Sequence, residues 1–322
     1  MLAPILIFML LLCPGFQPSG KLDEAILLYY KGDFKQAAQL LSQLSRSSPE
    51  NPDLRLWLGK SNLKTREWSN AVREMEKAVE LAPSNAQYHL WLGRALGARA
   101  SHTVFFKALG LARRVVKEFE TASKLAPEDL DIRFDLLDYY ISAPGIVGGS
   151  KEKAEAQAQA IARLNPKKGY VARAMIFEDS KNPDLAGKEL LQATIDYPGD
   201  SDAHKDLADF LLARKDFEGA LVHAQRALAL DSGSKRARLL LAAARIRLRS
   251  NLEEAGKALQ ELAAEPLRDE DPAFEEVYGW LGEFFHAKGD KTKARAAFQT
   301  ALVFNPEYEP AKDGISKLQK IP

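Results

Sequence analysis

Five histidines, His89, His102, His204, His223 and His286, are the side chains best suited to move protons or hold a metal near neutral pH. They are scattered along the chain, and none forms a His-Glu-x2-His run or a comparable ligand spacing, so no metal site is expected. The Gly-x-Ser-x-Gly elbow of a serine nucleophile does not occur. The single cysteine, Cys13, lies in an apolar N-terminal run and is a poor candidate for a catalytic thiolate. His102 sits between Ser101 and Thr103, a grouping that reads as a capping or buried histidine. Gly148-Gly149-Ser150 precedes a helical stretch and could present backbone N–H groups to a phosphate. The Gly-x4-Gly-Lys-Ser/Thr order and its preceding strand are missing, so a turn with Ser150 as N-cap is the expectation. These absences point to a non-enzymatic protein with no cofactor, whose function is binding.

The composition fits that reading. The chain of 322 residues has 45 basic and 44 acidic side chains, a net charge of +1, and 46% hydrophobic residues. That content supports a folded core, and near-neutrality argues against bulk attraction to nucleic acid or an anionic membrane. One cysteine permits no internal disulfide. Leu2 to Leu12 is an uncharged apolar run, followed by Cys13-Pro14-Gly15 and a Pro, Ser and Gly stretch ending at Gly20. Eleven helical residues span about 16 Å, half of a hydrocarbon core of about 30 Å, so a spanning helix is not expected. Residues 1–20 read as a secretory signal peptide cut after Gly15 or Gly20, which places the mature protein in the periplasm or outside the cell. A lipid anchor on Cys13 is the alternative, disfavoured by Leu12 where a small residue is usual.

The rest of the chain is periodic. Ser48-Pro49-Glu50, Ala82-Pro83-Ser84, Ala126-Pro127-Glu128, Asn165-Pro166-Lys167, Tyr197-Pro198-Gly199, Glu265-Pro266-Leu267 and Asn305-Pro306-Glu307 punctuate amphipathic stretches, with Asp231-Ser232-Gly233 standing in once. Successive spacings are 34, 44, 39, 32, 34, 34 and 40 residues, a base period of 34. Within each period two helices flank a turn such as Lys31-Gly32-Asp33 or Lys288-Gly289-Asp290. Trp57-Leu58-Gly59, Trp91-Leu92-Gly93 and Trp280-Leu281-Gly282 place a small residue midway along the first helix, and Ala208 holds the same place in another period. The second helix carries Ala37 with Leu41, Ala71 with Met75 and Ala78, Ala220 with Ala224 and Ala227, and Ala294 with Phe298 and Ala301. Steps of four and three put these side chains on one face.

These residues resemble the tetratricopeptide repeat, a 34-residue helix pair with this Leu-Gly, Gly-Asp-aromatic, Ala, Ala and Pro order. The resemblance covers about Lys21 to Pro306 and implies an all-α, right-handed superhelical solenoid of about eight repeats. Tyr308 to Lys320 then forms a capping helix within 307–322. The spacing of 44 implies ten extra residues near 99–110 in the third repeat, and that of 39 implies five near 142–150 in the fourth. Residues 166–198 come out two short, with Pro183 opening the second helix. The region around both insertions weakly resembles the helical part of the regulator-of-microtubule-dynamics family and of exported bacterial repeat proteins.

In tetratricopeptide repeats the first helices line a groove that holds peptides or helices of other proteins. The groove positions here are Tyr29, Tyr30, Trp57, Lys60, Trp91, Arg94, Phe134, Asp138 and Trp280. A clamp for a C-terminal carboxylate is not reproduced, because Leu56, Lys60, Leu90, Arg94, Phe134 and Asp138 hold its places. The tryptophans serve either as groove anchors or as wedges between first helices. Phe105, Phe106 and Leu109 in the longer insertion either pack on the solenoid side or form an apolar knob for docking or self-association. Lys235, Arg236, Arg238, Arg245, Arg247 and Arg249 crowd one helix, while Asp131, Asp135 and Asp138 line one face of another. The basic helix is either a solvated face offset by acids such as Glu253 and Glu254 or a patch for an anion or lipid. The expectation is therefore a scaffold that binds a peptide or protein in its groove, with anion or lipid binding, or self-assembly in an envelope complex, as alternatives.

Overall fold

The computed structural model describes residues 20–266 and 271–320, all of whose regular elements are helices. The apolar N-terminal run and Cys13 lie outside the described residues. Helices pair in chain order: α1 (Lys21–Tyr30) with α2 (Phe34–Ser47), α3 (Pro52–Lys64) with α4 (Trp68–Leu81), α5 (Ala86–Ser101) with α6 (Phe105–Leu125), and α7 (Leu130–Ser142) with α8 (Lys151–Leu164). The series continues with α9 (Pro166–Asp179) and α10 (Pro183–Asp196), α11 (Ser201–Ala213) and α12 (Phe217–Leu230), α13 (Lys235–Leu248) and α14 (Leu252–Ala264), α15 (Phe274–Ala287) and α16 (Lys291–Phe304). A single helix, α17 (Glu309–Lys320), follows.

Local chemistry sets the helix starts. The side chains of Asn51, Asp129, Asn165 and Ser234 each accept a backbone N–H from the first turn of α3, α7, α9 and α13. Pro52, Pro166 and Pro183 occupy first-turn positions, where a missing N–H costs nothing. The left-handed residue in the turn between paired helices recurs every 34 positions: Gly32 and Arg66, then Lys181 and Lys215. The alanine faces are buried as expected, with Ala37, Ala71, Ala78, Ala220, Ala224, Ala227, Ala294 and Ala301 sealed from solvent.

The small residues of the first helices explain the pairing. A Cβ on Gly93 would stand 2.3 Å from the Phe119 ring, and one on Gly282 would stand 2.4 Å from Phe298. At Gly59 the Met75 side chain comes to 2.7 Å. Each glycine is thus a slot into which the second helix of the same repeat inserts a large side chain. The last slot is doubled, because Gly314 of α17 meets the same Phe298 ring from the other side at 2.4 Å. This is how α17 covers the end of the apolar core.

The extra residues are placed differently from the proline spacings. In the third repeat they lengthen both helices, α5 having 16 residues and α6 having 21, against 13 and 14 in α3 and α4. In the fourth they form the loop from Ala143 to Ser150, which holds a 3-10 turn at Gly145–Val147, and Ser150 caps α8 through Lys153 N–H. Asn165 then serves as both the last cap of α8 and the first cap of α9, so the usual inter-repeat turn is missing there. Pro166 therefore opens a helix, whereas Pro127 precedes one by three residues, and the fifth repeat is not truly short. Neither phenylalanine of the longer insertion packs on the solenoid: Phe105 is 69% and Phe106 86% exposed. Leu109 is half-buried.

Replacing Gly93 with Leu forces atoms into the Phe119 ring and is expected to lower unfolding free energy by about 1–3 kcal/mol. Gly97→Ala, one turn along the same helix, meets nothing nearer than Val115 at 4.0 Å and should stabilise by up to about 1 kcal/mol through helix propensity. Urea denaturation of the two variants checks both signs.

Candidate functional site

First helices of neighbouring repeats touch one another directly, α1 with α3, α3 with α5, α7 with α9, α11 with α13 and α13 with α15. Second helices make no comparable contact with one another, so the first helices form the tighter, inner layer of the curve. The inner layer is therefore where side chains from different repeats converge.

At its N-terminal end the sequence positions do come together. Trp57 of α3 and Trp91 of α5 occupy equivalent places, and the Lys60 ammonium lies between them, 4.2 Å from one ring centroid and 4.1 Å from the other. Tyr29 and Tyr30 of α1 meet Trp57 edge to face at 5.5 and 5.7 Å. The Arg94 guanidinium lies 4.7 Å from the Trp91 ring and donates to both Asp135 carboxylate oxygens, at 2.6 and 3.1 Å. This is an alternating stack of rings and cations held by cation–π attraction, which strengthens where water is excluded. Trp57, Trp91 and Tyr30 are half-buried and Tyr29 is buried, so the tryptophans act both as wedges and as partly available surface. Phe134, half-buried on α7, packs against the same hydrophobic cluster as Trp91. Asp138 is exposed one turn beyond Asp135, and its carboxyl is raised by the surrounding protein and by that neighbour's charge. Trp280 belongs to a separate group on α15, under Arg247 at 4.9 Å.

The basic helix α13 is largely neutralised by carboxylates from other elements. Arg236 donates to both oxygens of Glu276, at 2.9 and 2.8 Å, and pairs with Asp209. Lys235 and Arg238 share Glu265 at 3.3 and 3.1 Å, Arg245 pairs with Glu254 at 2.8 Å, and Arg247 with Glu283 at 2.7 Å. Arg249 ends the helix in the left-handed region. Five of the six cations thus already have acidic partners, which leaves little uncompensated charge for an anion or lipid.

A second acidic cluster beside this helix has no counterpart among the site residues expected from sequence. Asp202, Asp206 and Asp209 on α11 share a face and, with Asp271 and Glu276, enclose a cleft of about 450 Å³ that also holds Lys168, Lys205 and Arg236. The signal was present, since Asp202, Asp206 and Asp209 repeat the spacing of Asp131, Asp135 and Asp138. Burial raises the Asp206 carboxyl despite Lys168, whose ammonium donates to it at 3.1 Å. Burial likewise raises Asp271, against the pull of Arg236.

His89, His102, His204 and His223 have structural partners. Nε2–H of His89 donates to the Pro83 carbonyl at 2.9 Å, while its Nδ1 lies 2.6 Å from Glu118. His204 makes the matching contact to the Pro198 carbonyl at 3.3 Å and stacks on His223, whose pKa burial and the neighbouring ring both lower. His102 stacks on Trp68 at 4.7 Å and donates through Nδ1–H to the Ala98 carbonyl at 2.8 Å. Among the described residues no group of histidines and carboxylates is placed to hold a metal, and no helix is long and apolar enough to cross a membrane.

A carboxyl raised above its unfolded value favours the folded state when protonated and opposes it when ionised. Asp206→Asn should therefore stabilise the protein at pH 7, and the gain should vanish below about pH 4, where Asp206 is neutral even in the unfolded chain. Melting curves of the two proteins at both pH values check this.

Comparison with known proteins adds three findings. The sequence profile of the tetratricopeptide repeat matches residues 22–85, 60–103, 171–235 and 249–309. Among solved structures, yeast Tom70 is similar with a TM-score of 0.60 at 16% identity, over 95% of this chain and 65% of that one, so the chain spans about two thirds of that protein's length. The human IFIT1 dimer with m7Gppp-AAAA is similar with a TM-score of 0.50 at 16% identity, over 92% of this chain and 71% of that one. No curated protein sequence matches the chain.

Proposed function

The chain belongs to the tetratricopeptide repeat family, whose members are generally non-catalytic scaffolds for protein–protein contacts, and from that premise we propose that it holds an extended segment of another protein against its inner layer of first helices. One observation carries the reading: Tyr30, Trp57, Lys60, Trp91 and Arg94, from three successive repeats, form a continuous aromatic and cationic strip on that layer. Half-buried tryptophans flanked by cations offer rigid apolar area together with charge, the combination that concentrates binding energy at protein interfaces. An extended segment suits the site because it can touch one helix per repeat. Further along, Asp138 and the acids of the α11 cleft add negative charge, so a partner with acidic or aromatic side chains toward one end and basic ones toward the other matches the layer best.

The place of action is proposed from the sequence. The apolar run of Leu2 to Leu12 and the small residues after it make residues 1–20 an export signal, so that the scaffold works in the periplasm or outside the cell. N-terminal sequencing of protein recovered from the native cell should begin after Gly15 or Gly20; recovery of an intact Met1 in the cytoplasmic fraction contradicts export. For the groove, Trp57→Ala with Trp91→Ala should weaken partner capture by tenfold or more, in line with hot-spot losses of about 2 kcal/mol or above. Cooperative melting should persist. Quantitative crosslinking pull-down with paired melting curves decides the matter, and undiminished capture by the double variant overturns the groove reading.

A further inference from the structure

In an open solenoid each repeat contacts its neighbours alone. Here the two ends meet. Phe34, at the start of α2, packs with Tyr29 at 5.1 Å on its own side and with Phe304 at 6.2 Å and Phe274 at 6.4 Å across the gap, joining the first hydrophobic cluster to that of α13–α16. Arg66, in the turn between α3 and α4, pairs with Glu307, which lies 241 residues further on in the turn after α16. His102, between α5 and α6, reaches the same carboxylate at 3.3 Å. Three N-terminal turns therefore engage the last repeat, at the start of α15 and around the end of α16.

Gly32 shows that the fit is particular. Its backbone is left-handed, at φ +82°, but so are Arg66, Lys181 and Lys215 at the equivalent turn, at +64°, +57° and +65°. The turn therefore accepts a side chain. What excludes one at position 32 is the other end of the molecule, since a Cβ there would stand 2.9 Å from the Phe304 ring and 3.1 Å from Phe274. Gly289, in the same turn of the last repeat at φ +80°, has nothing within 4 Å.

The seam is also thin. A cavity of about 240 Å³ remains between the ends, bordered by Trp68, Phe274 and Phe304 among others, whereas a permanent core is packed without such gaps. Its ion pairs are partly exposed, the kind that contribute least. Each terminal helix keeps its packing within its own repeat, so the seam can part without unfolding any of them.

We propose that this seam is a reversible latch, which closes the solenoid into a ring at rest and parts to admit a partner segment sideways onto the inner layer. Closure stands on the contacts above, and the admission of a partner rests on the groove reading. A segment flanked by folded domains cannot thread a closed ring, so the latch suits an internal stretch of a folded protein.

The test uses the full chain without partner, followed by X-ray scattering and hydrogen exchange. Glu307→Arg and Gly32→Lys should each enlarge the radius of gyration and speed exchange several-fold at both ends together, around residues 20–34 and 272–286, with repeats four to six unchanged. Arg66→Glu combined with Glu307→Arg should restore both readings, and Gly289→Lys should leave them as in the parent. Unchanged scattering in Glu307→Arg and Gly32→Lys, or faster exchange confined to the substituted end, overturns the latch. Partner capture is then measured with the seam variants; loss of capture in the tryptophan variants with scattering unaltered bears on the groove alone.

Discussion

The molecule depends on one packing event repeated along the chain: a large side chain from the second helix of a pair entering a gap in the first helix where no side chain stands. Phe119 in the gap at Gly93, Phe298 at Gly282 and Met75 at Gly59 are instances. Two helix axes can approach this closely because the gap removes the Cβ that would hold them apart, and the gain in dispersion contacts is spread over a whole ring or thioether. Where pairs are locked this way, the first helices are pressed into a common inner layer. The curvature of that layer accumulates over eight pairs until the N-terminal turns face the last repeat.

Much of this was legible because periodicity is a local property written many times. The 34-residue period, the glycine slots and the alanine faces can be read without knowing how repeats stack. Proline was a less faithful ruler. Pro127 opens a turn before a helix and Pro166 begins a helix, so equal residue types marked unequal positions and shifted the boundaries of the fourth and fifth repeats. Charge was less legible still. Of the acids that offset the cations of α13, Glu254 is near enough in the chain to be read there, whereas Glu265, Glu276 and Glu283 lie beside the helix only in three dimensions. The contact between Phe34 and Phe304 had no signal in either local sequence, since it arises from the sum of small rotations between repeats.

The same arrangement accounts for what the polar residues do. Histidines that could have suggested chemistry brace turns, as His89 does through Pro83 and His204 through Pro198. The inner layer is lined by pairs that largely satisfy themselves, such as Arg94 with Asp135 and Lys60 with its two tryptophans. A partner gains only to the extent that it improves on these contacts, so shape and the placing of its charges matter more than net attraction. Near-neutral total charge with local segregation of sign is what such a surface requires.

Partner protein is expected to lie on the inner layer of first helices. Photocrosslinking in the native cell tests it most directly, with the reactive side chain placed either at position 138, exposed on inner helix α7, or at position 257, exposed on α14 in the outer layer. A discrete partner adduct is expected from position 138 and none from position 257. Adducts from position 257 alone would place the binding surface on the outer layer and contradict this.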